Sequence, residues 1–136
     1  MKTCAIIIPA YDCAEYILQC LISCNIQNIS KPWGHIWNYE LRVRVDGCQK
    51  TADVLRKSLT PFYFSPQNVG AYVMRNSLMY LAPADVYAYF DADDVMMPDY
   101  LSRSLAQIEA GADAVMTSKI QCNKNMSPIL GAKNKV

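Results

Sequence analysis

Three carboxylates fall within four residues at Asp91-Ala92-Asp93-Asp94, directly after the apolar and aromatic run Val86-Tyr87-Ala88-Tyr89-Phe90. Like charges this close repel one another, and setting them at the end of a buried strand costs stability unless a cation compensates. A hard ion such as Mg²⁺ or Mn²⁺ takes oxygen ligands and often keeps waters beside substrate phosphates. One or two of these aspartates together with a diphosphate would satisfy such an ion. The plainer reading is an acidic turn that caps the helix beginning near Pro98. Arg75 is the complementary candidate, because a guanidinium grips phosphate oxygens bidentately; a solvated helix arginine is its plain alternative.

Other candidates sit at the ends of apolar runs. Tyr11, within Pro9-Ala10-Tyr11-Asp12, could stack on a base or simply pack. Asp46 could accept a hydrogen bond from a base or ribose, or make a tight turn with Gly47. Asn68 and Gly70 read as turn residues or as part of the same loop cluster.

These positions need a scaffold that gathers strand ends. Cys4 to Ile8 is β-rich and closed by Pro9. Asp12 with Glu15 forms a capping-box pattern ahead of a helix over Ala14 to Ile26. Ser30, Pro32 and Gly34 mark a loop. Leu41-Arg42-Val43-Arg44-Val45 alternates, predicting a strand with one buried and one polar face. Thr51 is placed to cap a helix through Leu59, Phe62 to Phe64 is a third strand, and Tyr72 to Leu81 a helix. Val86 to Phe90 reads as a strand covered on both faces. Asp99 to Ala110 is a helix, and Ala114-Val115-Met116 a fifth strand. Strand and helix in strict alternation predict an α/β fold, a mostly parallel sheet with helices on both faces. In such sheets ligands bind beyond the carboxyl ends of the strands, where every candidate above lies.

Taken in order, these segments resemble the inverting glycosyltransferases of family 2, which share the GT-A fold. Ile6-Ile7-Ile8-Pro9-Ala10-Tyr11-Asp12 is similar to the opening strand and P-x-Y-N loop, with aspartate in place of asparagine. Glu15-Tyr16-Ile17 with Cys20-Leu21, and Val45-Asp46-Gly47-Cys48 with Thr51, match the next two segments. Asn68-Val69-Gly70 with Arg75-Asn76, and Asp91-Ala92-Asp93-Asp94 with Pro98 and Leu101, match the last two. The resemblance covers residues 4–118 and implies a minimal or truncated GT-A domain. It implies a donor, a uridine diphosphate sugar, bound by Pro9, Ala10, Tyr11, Asp12, Asp46, Asn68, Arg75, Asp91 and Ala92. Mn²⁺ or Mg²⁺ would sit on Asp93 and Asp91. An acceptor hydroxyl would attack the anomeric carbon with inversion. No motif marks a general base; Asp99, Glu109 and Asp113 remain by elimination. The alternative is a donor-binding module that needs a partner for its acceptor site.

The totals agree with one globular domain. The chain has 136 residues, 52% hydrophobic and 18% charged, within the usual size of a domain. Its 13 basic and 12 acidic side chains nearly cancel, so it lacks the basic excess of a nucleic-acid binder. No apolar run reaches the roughly 18–20 residues that span a bilayer. Six cysteines without a C-x-x-C pair read as buried, reduced thiols of a cytoplasmic protein. Residues 119–136 are expected to form a basic, partly disordered tail, and a shortened sheet would expose apolar faces that favour a homo-oligomer.

Overall fold

The computed structural model describes residues 1–29 and 37–129; the loop expected around Ser30, Pro32 and Gly34 lies outside them. Four strands and four helices alternate: β1 (Lys2–Ala10), α1 (Ile17–Asn25), β2 (Trp37–Asp46), α2 (Gln49–Lys57), β3 (Tyr63–Ser65), α3 (Ala71–Met79), β4 (Val86–Tyr89) and α4 (Tyr100–Glu109). The sheet runs β3-β2-β1-β4 and all three pairings are parallel. Because the order reverses at β1, the loops after β1 and β4 face each other across the switch in winding, where α/β sheets hold their ligands.

β1 is central because its sequence is apolar on both sides. Cys4, Ala5, Ile6, Ile7 and Ile8 are all fully buried, and each isoleucine so placed contributes about 1.5–3 kcal/mol. Ala5 and Ile7 pack with Leu78 of α3, which lies across β1 and β2. Side chains alternate along a strand, so Cys4, Ile6 and Ile8 fill the opposite face. α1 and α2 touch each other.

The chain divides into two compact units, Met1–Arg103 and Ser104–Val136. The first carries the whole sheet. The second holds the end of α4 and, among the described residues, a turn in which Asn123 Oδ1 accepts from the amides of Asn125 and Ser127 at 2.9 and 3.0 Å. A single antiparallel bridge, Cys122 to Pro128, closes that turn.

Several local expectations are corrected. Asp12 does not cap α1: it sits at φ +46°, the chain turns through Cys13, whose carbonyl accepts from the amides of Tyr16 and Ile17, and α1 begins at Ile17 without a side-chain cap. Thr51 lies inside α2, fully buried, because the helix starts two residues earlier. On the polar face of β2, Arg42 is buried and Arg44 partly so. Arg42 is 6% exposed and donates to the carbonyls of Leu78, Met79 and Ala82 at 3.1, 3.4 and 2.8 Å, closing the orphan acceptors at the end of α3. β4 is an edge strand, with Tyr89 half exposed. Ala114 to Met116 forms no strand, and Met116 is 93% exposed.

Candidate functional site

A cleft of about 230 Å³ opens at the carboxyl ends of β1 and β4, lined by Pro9, Tyr11, Asp12, Cys13, Tyr16, Ala71, Arg75, Asp91, Ala92 and Asp93. Three segments far apart in sequence therefore meet: the loop after β1, the first turns of α3, and the acidic turn after β4. A larger groove of about 330 Å³ runs beside Glu40, Arg42, Pro61, Phe62 and Tyr63. Glu40 is the one acidic residue lining it, whereas the smaller cleft holds Asp12, Asp91 and Asp93.

Each wall follows from local sequence. Tyr11 is 60% exposed, leaving its ring face open to a planar ligand. Asp12 takes the left-handed conformation that Asn and Asp tolerate best among residues with a side chain, and this swings the chain from β1 into the turn before α1. Below it, Thr51 Oγ1 accepts from the Cys13 amide at 3.2 Å and donates to Cys48 Sγ at 3.4 Å. That hydroxyl bond, ahead of all other influences, lowers the Cys48 thiol pKa. Burial raises Cys13 to about 11.

The second wall is set by a turn that interlocks with a loop. Asp46 is 3% exposed, and its two carboxylate oxygens accept from the amides of Val69 and Gly70 at 2.7 and 2.8 Å. Gly47 sits at φ +73°, and a Cβ there would lie 2.8 Å from the Asn68 nitrogen, so only glycine admits the loop so close. Asp46 thus fixes the residues that lead into α3, the helix that presents Arg75. Ala10, fully buried, likewise belongs to the scaffold. Neither Ala10, Asp46 nor Asn68 lines the cleft.

On the third wall, Arg75 and Asp91 pair at 2.6 Å, and the guanidinium lies 5.9 Å from the Tyr72 ring centroid. Arg75 Nε is buried and has no hydrogen-bond partner among the described residues. Ala92 is tucked inward at 5% exposure, whereas Asp93 projects outward. Among the described residues, no three His, Cys, Asp or Glu side chains converge as a metal cage. The donor set suits a cation held by one or two carboxylates and completed by ligand oxygens and water, the usual arrangement for Mg²⁺ beside phosphates. Asp99, one of the carboxylates left as a base by elimination, pairs with Arg103 at 3.4 Å.

Sequence reasoning missed Cys13, Tyr16 and Ala71 as lining residues. It also missed Ser23 and Gln27, which are 5% and 7% exposed. The readable signal was two polar residues four apart in a mostly apolar stretch, Ser23 within α1 and Gln27 just past its end.

A parallel α/β sheet with an acidic turn across its switch point is the GT-A architecture. The chain belongs to glycosyl transferase family 2, whose profile matches residues 5–134. Among solved structures, S. aureus TarS 1–349 in complex with UDP is similar with a TM-score of 0.66 at 21% identity, over 89% of this chain and 40% of that one. The same protein in complex with UDP-GlcNAc gives 0.66 and 21%, over 89% and 38%. S. aureus TarS itself gives 0.63 and 21%, over 89% and 24%. The chain thus spans at most two-fifths of these structures. No curated protein matches the sequence. Among the described residues, no helix is long and apolar enough to cross a membrane.

Proposed function

We propose that this chain binds the donor of a glycosyltransferase, a nucleoside diphosphate sugar with uridine as its base, and transfers the sugar to an acceptor hydroxyl with inversion. The observation that carries the reading is the meeting, in one cleft, of an open aromatic ring, an arginine and an outward aspartate. Those three groups suit a base, a diphosphate and a divalent cation in turn. That UDP and UDP-GlcNAc occupy TarS supports the same ligand class.

In this reading Tyr11 stacks on the base, while Pro9, Asp12 and Ala92 shape the walls around the nucleoside. A small turn of the Arg75 guanidinium lets a diphosphate oxygen take up its leftover Nε donor, and the bond to Asp91 keeps the group aimed at the cleft. Asp91 contacts the ribose and, with Asp93, offers carboxylate oxygens to Mn²⁺ or Mg²⁺. A cation bound there would neutralise charge developing on the departing nucleoside diphosphate. Asp46 serves by holding the start of α3 in place. The free thiols suit a reducing cytoplasm.

The test is release of UDP from UDP-sugars with added Mn²⁺, in the presence of candidate acceptors. Turnover abolished by Asp93→Ala supports the proposal; turnover indifferent to that change removes the cation role. A second reading is a donor-binding module that does not itself transfer the sugar. It predicts cation-dependent UDP binding without release.

A further inference from the structure

The segment after the acidic turn has almost no regular structure, yet it is held by side chains of α1 and by Gln27, two residues past the end of that helix. Cys20, Ser23, Cys24 and Gln27 recur at helical spacing and are all buried. Cys20 Sγ donates to the Asp91 carbonyl at 3.6 Å. Ser23 Oγ accepts from the Met96 amide at 2.9 Å. Gln27 Nε2 donates to the carbonyls of Ser23 and Met97 at 3.0 and 2.8 Å, and its Oε1 accepts from the Leu101 amide at 3.0 Å. The Asn28 amide adds a bond to the Pro98 carbonyl at 3.0 Å.

We infer that Gln27, assisted by Ser23, is a positioning residue that fixes the Asp91–Asp94 carboxylates for the cation and diphosphate. The inference rests on the donor-binding reading for its ligand but not for its geometry. A buried amide satisfying the end of α1, the turn at Met97 and the start of α4 at once is costly unless every bond is made. An apolar side chain would serve packing alone. Gln27 instead holds both the Met97 carbonyl and the Leu101 amide from just past the end of α1, and Ser23 of α1 holds the Met96 amide immediately before them. Displacing the carboxylates by a fraction of an ångström disturbs a cation site more than a stacked base, because coordination distances are narrow.

The test uses the full chain carrying Gln27→Met or the milder Ser23→Ala. Hydrogen exchange is read at the Met96 and Leu101 amides, with those of Ile6 to Ile8 as internal reference. UDP affinity with Mn²⁺ is compared with uridine affinity without it. Gln27→Met should speed exchange at Leu101 and weaken Mn²⁺-dependent UDP binding by about tenfold, the loss expected from one buried hydrogen bond, while uridine affinity and the reference amides stay unchanged. Ser23→Ala should do the same at Met96 to a smaller degree. Unchanged exchange at both amides, or an equal fall in uridine affinity, overturns the inference. If the unaltered protein binds no UDP, the donor reading fails, while the exchange rates still decide for or against the clamp.

Discussion

The Arg75 guanidinium and the Asp91 carboxylate stand 2.6 Å apart although they belong to different elements, the second turn of α3 and the turn after β4. The side chains are 25% and 43% exposed. Solvent screening limits such a pair to about 0–1 kcal/mol of stability. Its value is directional: each group holds the other at the mouth of the cleft.

Arg75→Ala should therefore lower stability by no more than about 1 kcal/mol while weakening UDP binding at least tenfold. Arg75→Lys should recover little, because an ammonium cannot engage a carboxylate and a phosphate through one planar fork. Chemical denaturation and calorimetry, run on the same samples, separate the two effects.

Asp93 is exposed, so Asp93→Asn should change stability by less than about 0.5 kcal/mol. It should nonetheless abolish the gain in UDP affinity brought by Mn²⁺. Equal affinities with and without the ion, in the variant alone, are the expected titration result.

Asp46 and Gly47 should behave in the opposite way. Asp46→Asn replaces one acceptor with a donor that faces a backbone amide, at a cost of about 1.5–3 kcal/mol. Gly47→Ala meets both a positive φ and the Asn68 nitrogen, a loss of about 2 kcal/mol or more. Urea midpoints measure both, and nucleotide affinity should fall only to the extent that α3 is displaced.

Thiol ionisation gives a pH dependence with a definite sign. Burial raises Cys4 and Cys13 from 9.0 to about 11. The folded state therefore keeps protons that the unfolded chain releases. The stability tied to these groups is fully present below pH 9 and is lost as pH rises towards 11. Cys48 moves the other way under the Thr51 hydroxyl bond, so it should be alkylated first, and Thr51→Val should slow that reaction at neutral pH.

Long apolar periods made the architecture readable before any coordinates. β1, with its five consecutive apolar residues, and the helical stretch of α3 were visible as such, and the cleft lies at strand ends. What stayed hidden depended on tertiary partners. Alternation in β2 could not reveal that Arg42 lies beneath α3 rather than in water, since arginine is equally at home facing solvent or closing carbonyls. Thr51 looked like a cap because hydroxyls favour that position, yet its bonds run to Cys13 and Cys48. Asp12 suited a capping box but adopts a left-handed turn, a conformation open to aspartate and asparagine alike. Asp46 could have faced a ligand, and only the fold shows both its oxygens committed to a loop 23 and 24 residues away. Ala114 to Met116 had strand propensity, yet it forms no strand.

The most direct test of the donor site is a crystal of the protein soaked with UDP and Mn²⁺. The account predicts the base against Tyr11, the diphosphate within reach of Arg75, and the cation on Asp93 with phosphate oxygens in its coordination sphere. Nucleotide density away from this cleft, or a cation bound without any of these aspartates, would contradict it.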